Sequence, residues 1–293
     1  MNGVRTWLMA ARPKTLTAAI APVMVGSALP FLRGAEVLWW VSLAALASAT
    51  CIQIGTNLVN DAEDFERGAD DENRLGPVRV TQSGLLSSKQ VKFAAFAFFG
   101  LAVLLAVPLL LRGGMPILVI GMASLLAGYA YTGGPFPLAY LGLGDLFVVV
   151  FFGLVAVGGT SWLHGAVYGV PELIAGLQVG FLATALIAIN NLRDIGGDAK
   201  VGKKTMAVRL GPGLARLEIA LMTFLPLLLG TYWWGEGARL ATLLPLLGLP
   251  WAVLLVRDVV ATPPGPAYNG FLARAARQQL VVSLLLSAGL FVS

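Results

Sequence analysis

Charge is scarce in this chain. Only 12% of its 293 residues are charged, against 57% hydrophobic, whereas water-soluble domains carry about a quarter charged residues. An ordinary soluble domain is thereby excluded. Cysteine and histidine are nearly absent, with Cys51 and His164 standing alone. No internal disulfide or Cys/His zinc cluster can be built from one of each, and a Cys–His nucleophile pair is unsupported. Cys51 falls inside an apolar run and His164 in a connection, so both read as structural. Also missing are the alternating ten-residue segments of a membrane β-barrel: runs such as 101–111, LAVLLAVPLLL, do not alternate.

What is abundant is apolar sequence in lengths that cross a bilayer, about 20 residues per helix. About nine such runs recur, at 15–32, 37–60, 91–111, 114–132, 141–162, 172–192, 214–234, 239–256 and 272–292. The expected fold is all-α: a single multi-span transmembrane helical bundle over 1–293, embedded in a lipid bilayer. It comprises two pseudo-repeated parts, 1–132 and 141–256, and a last helix, 272–292. The first run follows Arg5, Arg12 and Lys14 and lacks a small-residue cleavage site, so it is expected to be a span rather than a cleavable signal. With the amino terminus in the cytoplasm, only Arg33, Arg112 and Arg239 of the 20 Lys and Arg fall on the far side. That asymmetry places the remaining basic loops, the amino terminus and the charged motifs at the cytoplasmic face of the cell membrane, and the carboxyl terminus opposite. The net charge of +5 sits in short loops between spans. Lipid headgroups or a phosphorylated substrate explain it there, and nucleic acid is not expected as a partner.

The acidic residues are concentrated instead of spread. Seven of the 15 lie between Asp61 and Glu72, just after the second run. Asn57, Asp61 and Asp64 stand at i, i+4 and i+7 and share one face of a continuing helix, as do Asn60 and Asp64. The sixth run ends comparably, with Asn190, Asp194 and Asp198 at i, i+4 and i+8. A basic stretch follows each: Arg74 and Arg79 in one, Lys200, Lys203, Lys204 and Arg209 in the other. Ionisable groups at membrane depth are costly unless paired, so two such clusters are functional-site candidates. Hard oxygen ligands beside Lys and Arg suit magnesium completed by a substrate's phosphates, and with it the departure of a diphosphate.

These motifs resemble the UbiA superfamily of intramembrane prenyltransferases. Asn60-Asp61-x-x-Asp64 matches the first half of its first aspartate motif. The position of that motif's last aspartate is Gly68, with Asp70 beyond, a variant similar to the 1,4-dihydroxy-2-naphthoate polyprenyltransferase branch. Arg12-Pro-Lys-Thr-Leu, the segment Tyr131–Gly153, Asn190–Asp198 and Lys203–Gly211 are similar to that branch too. The resemblance implies transfer of a polyprenyl group from polyprenyl diphosphate to 1,4-dihydroxy-2-naphthoate with loss of its carboxylate, giving demethylmenaquinone. It implies two Mg2+ ions, one on Asp61 and Asp64 and one on Asp194 and Asp198. Asn57, Asn60 and Asn190 would orient the carboxylates or touch the diphosphate, with Arg193, Lys203, Lys204 and Arg209 as its basic partners. Tyr131 would stack on the acceptor or belong to an interfacial belt. Asp145 is a site residue or a helix-end charge, and Arg12 and Lys14 hold the acceptor's carboxylate or anchor the chain. Rival readings are another aromatic acceptor such as 4-hydroxybenzoate and, in a different class, a secondary transporter; transporters bind near the midplane, whereas both clusters here sit at helix ends.

Overall fold

The computed structural model describes residues 3–70 and 74–293, which are helical and contain no strand; Asp71 and Glu72 of the acidic run lie outside the described residues. In chain order the principal helices are α1 (Gly3–Ala11), α2 (Thr17–Ala28), α3 (Trp39–Glu66), α4 (Ser88–Ala130), α5 (Gly144–Leu163), α6 (Val170–Arg193), α7 (Ile195–Lys200), α8 (Met206–Leu229), α9 (Arg239–Ala261) and α10 (Tyr268–Val292). Seven are long and apolar enough to cross a membrane, and α1 with α2, a pair bent by 51°, brings the count of candidate spans to at most eight.

The bend falls at Arg12-Pro13, where Arg12 takes the left-handed conformation at φ 51°, a region sparsely occupied by residues other than glycine. On α1, Val4, Trp7 and Leu8 are exposed, as on a helix lying along an interface.

Helix α4 contains 43 residues, about 64 Å at 1.5 Å per residue, twice the thickness of a bilayer's hydrocarbon. It is not straight: Gly114 interrupts it with φ 65° and ψ −151°. The chain then doubles back, so that Phe96 and Tyr129 from opposite limbs meet with ring centroids 6.0 Å apart. The tip is held by Arg112 Nε donating to the Leu163 carbonyl at 2.6 Å and Trp162 Nε1 donating to the Gly113 carbonyl at 3.0 Å. Counting the two limbs separately brings the number of apolar segments among the described residues close to the nine apolar runs of the sequence.

Glycine lets helices approach closely. A Cβ on Gly153 would lie 2.3 Å from the Gly176 carbonyl oxygen and 2.8 Å from Gly180 Cα, so the π-helical stretch Val149–Val155 of α5 meets α6 backbone to backbone. Apolar side chains of α2, α5, α6 and α10, among them Val25, Val157, Val179 and Leu286, form the largest core cluster. At the end of the bundle remote from the acidic motifs, Glu172 is buried and accepts from Arg33 Nη2, Ser161 Oγ and the Gly169 amide at 3.1, 3.1 and 2.9 Å. Nearby, His164 Nδ1 accepts the Leu38 amide at 3.2 Å.

Candidate functional site

Helix α3 runs past its apolar part to Glu66 and carries Asn57, Asp61 and Asp64 on a buried face, at 5%, 1% and 3% exposure. Its end explains Gly68. That residue sits at φ 72°, the Gly68 amide donates to the Phe65 carbonyl at 3.0 Å and the Ala69 amide to the Asp64 carbonyl at 2.8 Å. This is the Schellman closure, which favours glycine at the left-handed position. An aspartate there would be strained, so the gap in the motif is a helix stop.

The shared face divides its labour. Asn57 Nδ2 donates to the Ala11 carbonyl at 3.0 Å and to Thr15 Oγ1 at 2.9 Å, tying α3 to the α1–α2 bend. Asp61 accepts the amides of Val80 and Thr81 at 3.3 and 3.1 Å, which folds the loop after α3 back over the helix end. Asp64 accepts the Tyr140 hydroxyl at 3.0 Å and lies 3.6 Å from Arg79 Nη2 and 3.9 Å from Lys203 Nζ. Asn60 Oδ1 is buried without a partner.

The second motif meets the first at Lys203. Its ammonium stands 3.9 Å from Asp64 Oδ2, 3.9 Å from Asp198 Oδ1 and 5.2 Å above the Tyr140 ring. Burial pushes the Asp198 carboxyl up to about 6; Lys203 opposes the shift, and Asp194 and Asp64 add to it. Asp194 instead turns to Arg193, whose Nε and Nη2 reach its two oxygens at 2.9 and 2.6 Å. Arg193 is only 1% exposed. It also donates to Asn190 Oδ1 at 2.8 Å and Asn269 Oδ1 at 2.7 Å, and Asn269 Nδ2 reaches the Leu75 carbonyl at 2.8 Å. Arg193 and Asn190 thus bind α6, α10 and the 74–77 loop together.

The remaining expected cations separate. Arg12 is half-buried at the bend, with Nη2 buried and lacking an acceptor. Lys14, Lys204 and Arg209 are exposed. Arg209 staples two loops by donating to the carbonyls of Lys204 at 3.1 Å and Leu141 at 2.7 Å, a scaffolding geometry rather than an anion-facing one. The basic stretch after the first motif belongs to the site: Arg79 is 6% exposed, near Asp64 and Asp70, with Nη1 unpartnered, and Arg74 pairs with Asp70. Burial, with Arg12 and Arg193 close by, pulls Arg74 down to about 10. Crowded guanidiniums with open donors are suited to an anion with several oxygens. The residues absent from the sequence-derived set are Tyr140 and Asn269, which lie far along the chain from the motifs they complete and carried no spacing signal.

Beside the charged cluster an apolar cleft opens between α2, α3, α4 and α5, lined by Pro22, Thr56, Gly128, Tyr131, Phe147 and Phe151. Tyr131 is at its rim, its hydroxyl 3.1 Å from where a Cβ on Gly144 would stand. Burial, then the charges of Asp145, Asp64 and Asp198, raise its pKa above the ordinary phenol range. Asp145 is 8% exposed, with Oδ1 buried and unpartnered.

A magnesium ion fits one part of this donor set. Asp64 and Asp198 already converge on a cation, and Asn60 presents an unused oxygen. Among the described residues no three carboxylates surround a single point, so an ion held here would be completed by oxygens from outside the protein, the habit of Mg2+ with phosphates. Asp61 and Asp194, as placed, direct their oxygens at loop amides and at Arg193.

The pattern of the UbiA prenyltransferase family matches residues 19–275. An Escherichia coli protein named 1,4-dihydroxy-2-naphthoate octaprenyltransferase is 36% identical, over 100% of this chain and 97% of that one. A Mycobacterium tuberculosis protein of the same name is 36% identical over 92% and 88%. Among solved structures, a UbiA homolog from Archaeoglobus fulgidus bound to DMAPP and Mg2+ superposes with a TM-score of 0.66, at 16% identity, over 96% of this chain and 99% of that one. The helical bundle, its two paired motifs and these similarities agree: this is a multi-pass membrane protein that belongs to the UbiA prenyltransferase family.

Proposed function

We propose that the protein transfers a polyprenyl group from polyprenyl diphosphate to 1,4-dihydroxy-2-naphthoate with decarboxylation, giving demethylmenaquinone, at the cytoplasmic face of the cell membrane. The observation that carries this reading is Lys203, held between Asp64 of one motif and Asp198 of the other, with Arg79 on the same Asp64 oxygen. An anion delivered there finds cations on several sides, and the cleft beside it accepts an apolar tail. The acceptor comes from the printed names of relatives that match nearly the whole chain.

Asp64 and Asp198, with Asn60, would hold Mg2+. The bound ion would neutralise charge developing on the diphosphate as its C–O bond breaks. Lys203 and Arg79, both near Asp64, would reach the same oxygens, Tyr140 holds Asp64 in orientation, and Arg193 keeps the α6 end and the 74–77 loop in register. The apolar lining excludes water that would otherwise quench an allylic cation.

The test is purified protein in detergent with prenyl diphosphate and either dihydroxynaphthoate or 4-hydroxybenzoate, products read by mass spectrometry. Demethylmenaquinone formed only with Mg2+, and lost in Asp64→Ala and Asp198→Ala, is expected. Full activity in EDTA, or prenylation of 4-hydroxybenzoate alone, overturns the reading.

A further inference from the structure

Asp145 has no evident structural reason for its place. It stands at the first turn of α5, 92% buried by its 8% exposure, and Oδ1 has no hydrogen-bond partner. No Lys or Arg pairs with it among the described residues. Its charge bears on Tyr131, from the α4–α5 connection, and on Glu218, from α8. From α6, Thr184 offers only a hydroxyl to the Asp145 backbone carbonyl, at 3.5 Å. An isolated carboxyl at a helix end inside a membrane bundle is costly and marks a functional position by default. Tyr131 connects it to both halves of the site, since this residue packs over Gly144, lines the apolar cleft, and feels Asp64 and Asp198 as well.

We infer that Asp145 takes the hydroxyl proton of the aromatic acceptor during prenyl transfer and gives it back to the product, with Tyr131 positioning the ring between Asp145 and the diphosphate. The inference rests on the proposed acceptor. The acceptor's O–H bond breaks and its proton moves to the Asp145 carboxylate. The ring carbon bearing the carboxylate, made nucleophilic by the resulting enolate, bonds to the allylic carbon as the C–O bond to diphosphate breaks. Diphosphate leaves with that electron pair. The ring is now a ketone with a carboxylate on the neighbouring carbon. The C–COO− bond breaks, carbon dioxide leaves, and the electron pair returns to the ring oxygen, which recovers the proton from Asp145.

The exchange is proton-neutral over a turnover. A buried carboxyl with little path to water can therefore serve it, whereas replacement of a ring hydrogen releases a proton that must be carried away each cycle. The burial of Asp145 is thus matched to a decarboxylating acceptor.

The experiment compares wild type, Asp145→Asn and Asp145→Ala with dihydroxynaphthoate and with a ring-fluorinated analogue whose hydroxyl is more acidic. Binding of a prenyl thiolodiphosphate with Mg2+ is measured in parallel by thermal shift. Expected for Asp145→Asn are a loss of kcat of at least a hundredfold, loss of the acidic limb of the pH–rate profile, thiolodiphosphate binding within threefold of wild type, and at least tenfold recovery with the fluorinated acceptor relative to its effect on wild type. Retention of a third or more of wild-type kcat overturns the inference, and so does an equal loss with both acceptors, which is the mark of a merely structural role. Wild type that makes no demethylmenaquinone instead overturns the acceptor assignment, and the inference falls with it; that control separates the two failures.

Discussion

At the scale of single residues the site depends on who holds each carboxylate. Among the described residues, the hydroxyl of Tyr140 is the neutral donor to Asp64, at 3.0 Å. A hydrogen bond to a charged group contributes about 1.5–3 kcal/mol, so Tyr140→Phe should lower kcat/KM by roughly ten- to a hundredfold in the prenyl-transfer assay. An unchanged value would show that Asp64 does not need this orientation. Spacing in the sequence grouped Asp61 with Asp64 and Asp194 with Asp198, because positions about one helical turn apart share a face; the approach of Asp64 to Asp198 across Lys203 joins two distant motifs and had no spacing signal. Spacing could not assign different work to Asp61. Its oxygens are taken by amides of Val80 and Thr81, contributed by a loop whose path is set by tertiary contacts. Tyr140 was illegible for the same reason, and the charge of Arg209 alone left it between a diphosphate partner and an interfacial anchor; its guanidinium donates to two loop carbonyls.

At the scale of elements, the apolar runs transferred almost unchanged into helices, since a bilayer demands continuous hydrogen-bonded backbone over a fixed length. The break between the third and fourth runs was visible at Gly113-Gly114, and the structure turns there. The helical extension of α3 through its charged end, closed by Gly68, was legible as a periodicity; that glycine's role as a stop was not. Close packing of α5 on α6 should make Gly153→Ala destabilising by about 1–3 kcal/mol, read as a lower thermal unfolding midpoint in detergent. Gly100, where a Cβ meets nothing within 4 Å, should tolerate alanine without loss. The end of α5 also carries an acid sensitivity. Burial, and then Arg112, lower the His164 pKa from its usual 6.5, and Nδ1 must stay unprotonated to accept the Leu38 amide. Below that usual value the unfolded chain binds a proton that the folded one resists, so stability should fall as pH drops from about 6.5 through the lowered value. His164→Gln should flatten this dependence; a profile identical to wild type would remove His164 as its source.

At the scale of the whole molecule, the proposed cytoplasmic face rests on the asymmetry of basic residues, and the single Cys51, buried, makes that proposal testable. In a Cys51→Ala background, a membrane-impermeant maleimide applied to sealed right-side-out vesicles should label Tyr168→Cys and leave Lys200→Cys untouched until the vesicles are opened. The reverse pattern would invert the proposed sidedness. The position of Lys203 reaches furthest at this scale. Its ammonium joins the two aspartate motifs through Asp64 and Asp198, which would make it a tethered competitor for the place a metal would take. On the proposed reading, Lys203 would have to leave Asp64 and Asp198 for a metal to bind there, and a diphosphate arriving with the metal would give its ammonium new oxygens to join. The two ligands would then be thermodynamically coupled, and Lys203→Met should tighten calorimetrically measured Mg2+ binding in the absence of diphosphate while abolishing that coupling.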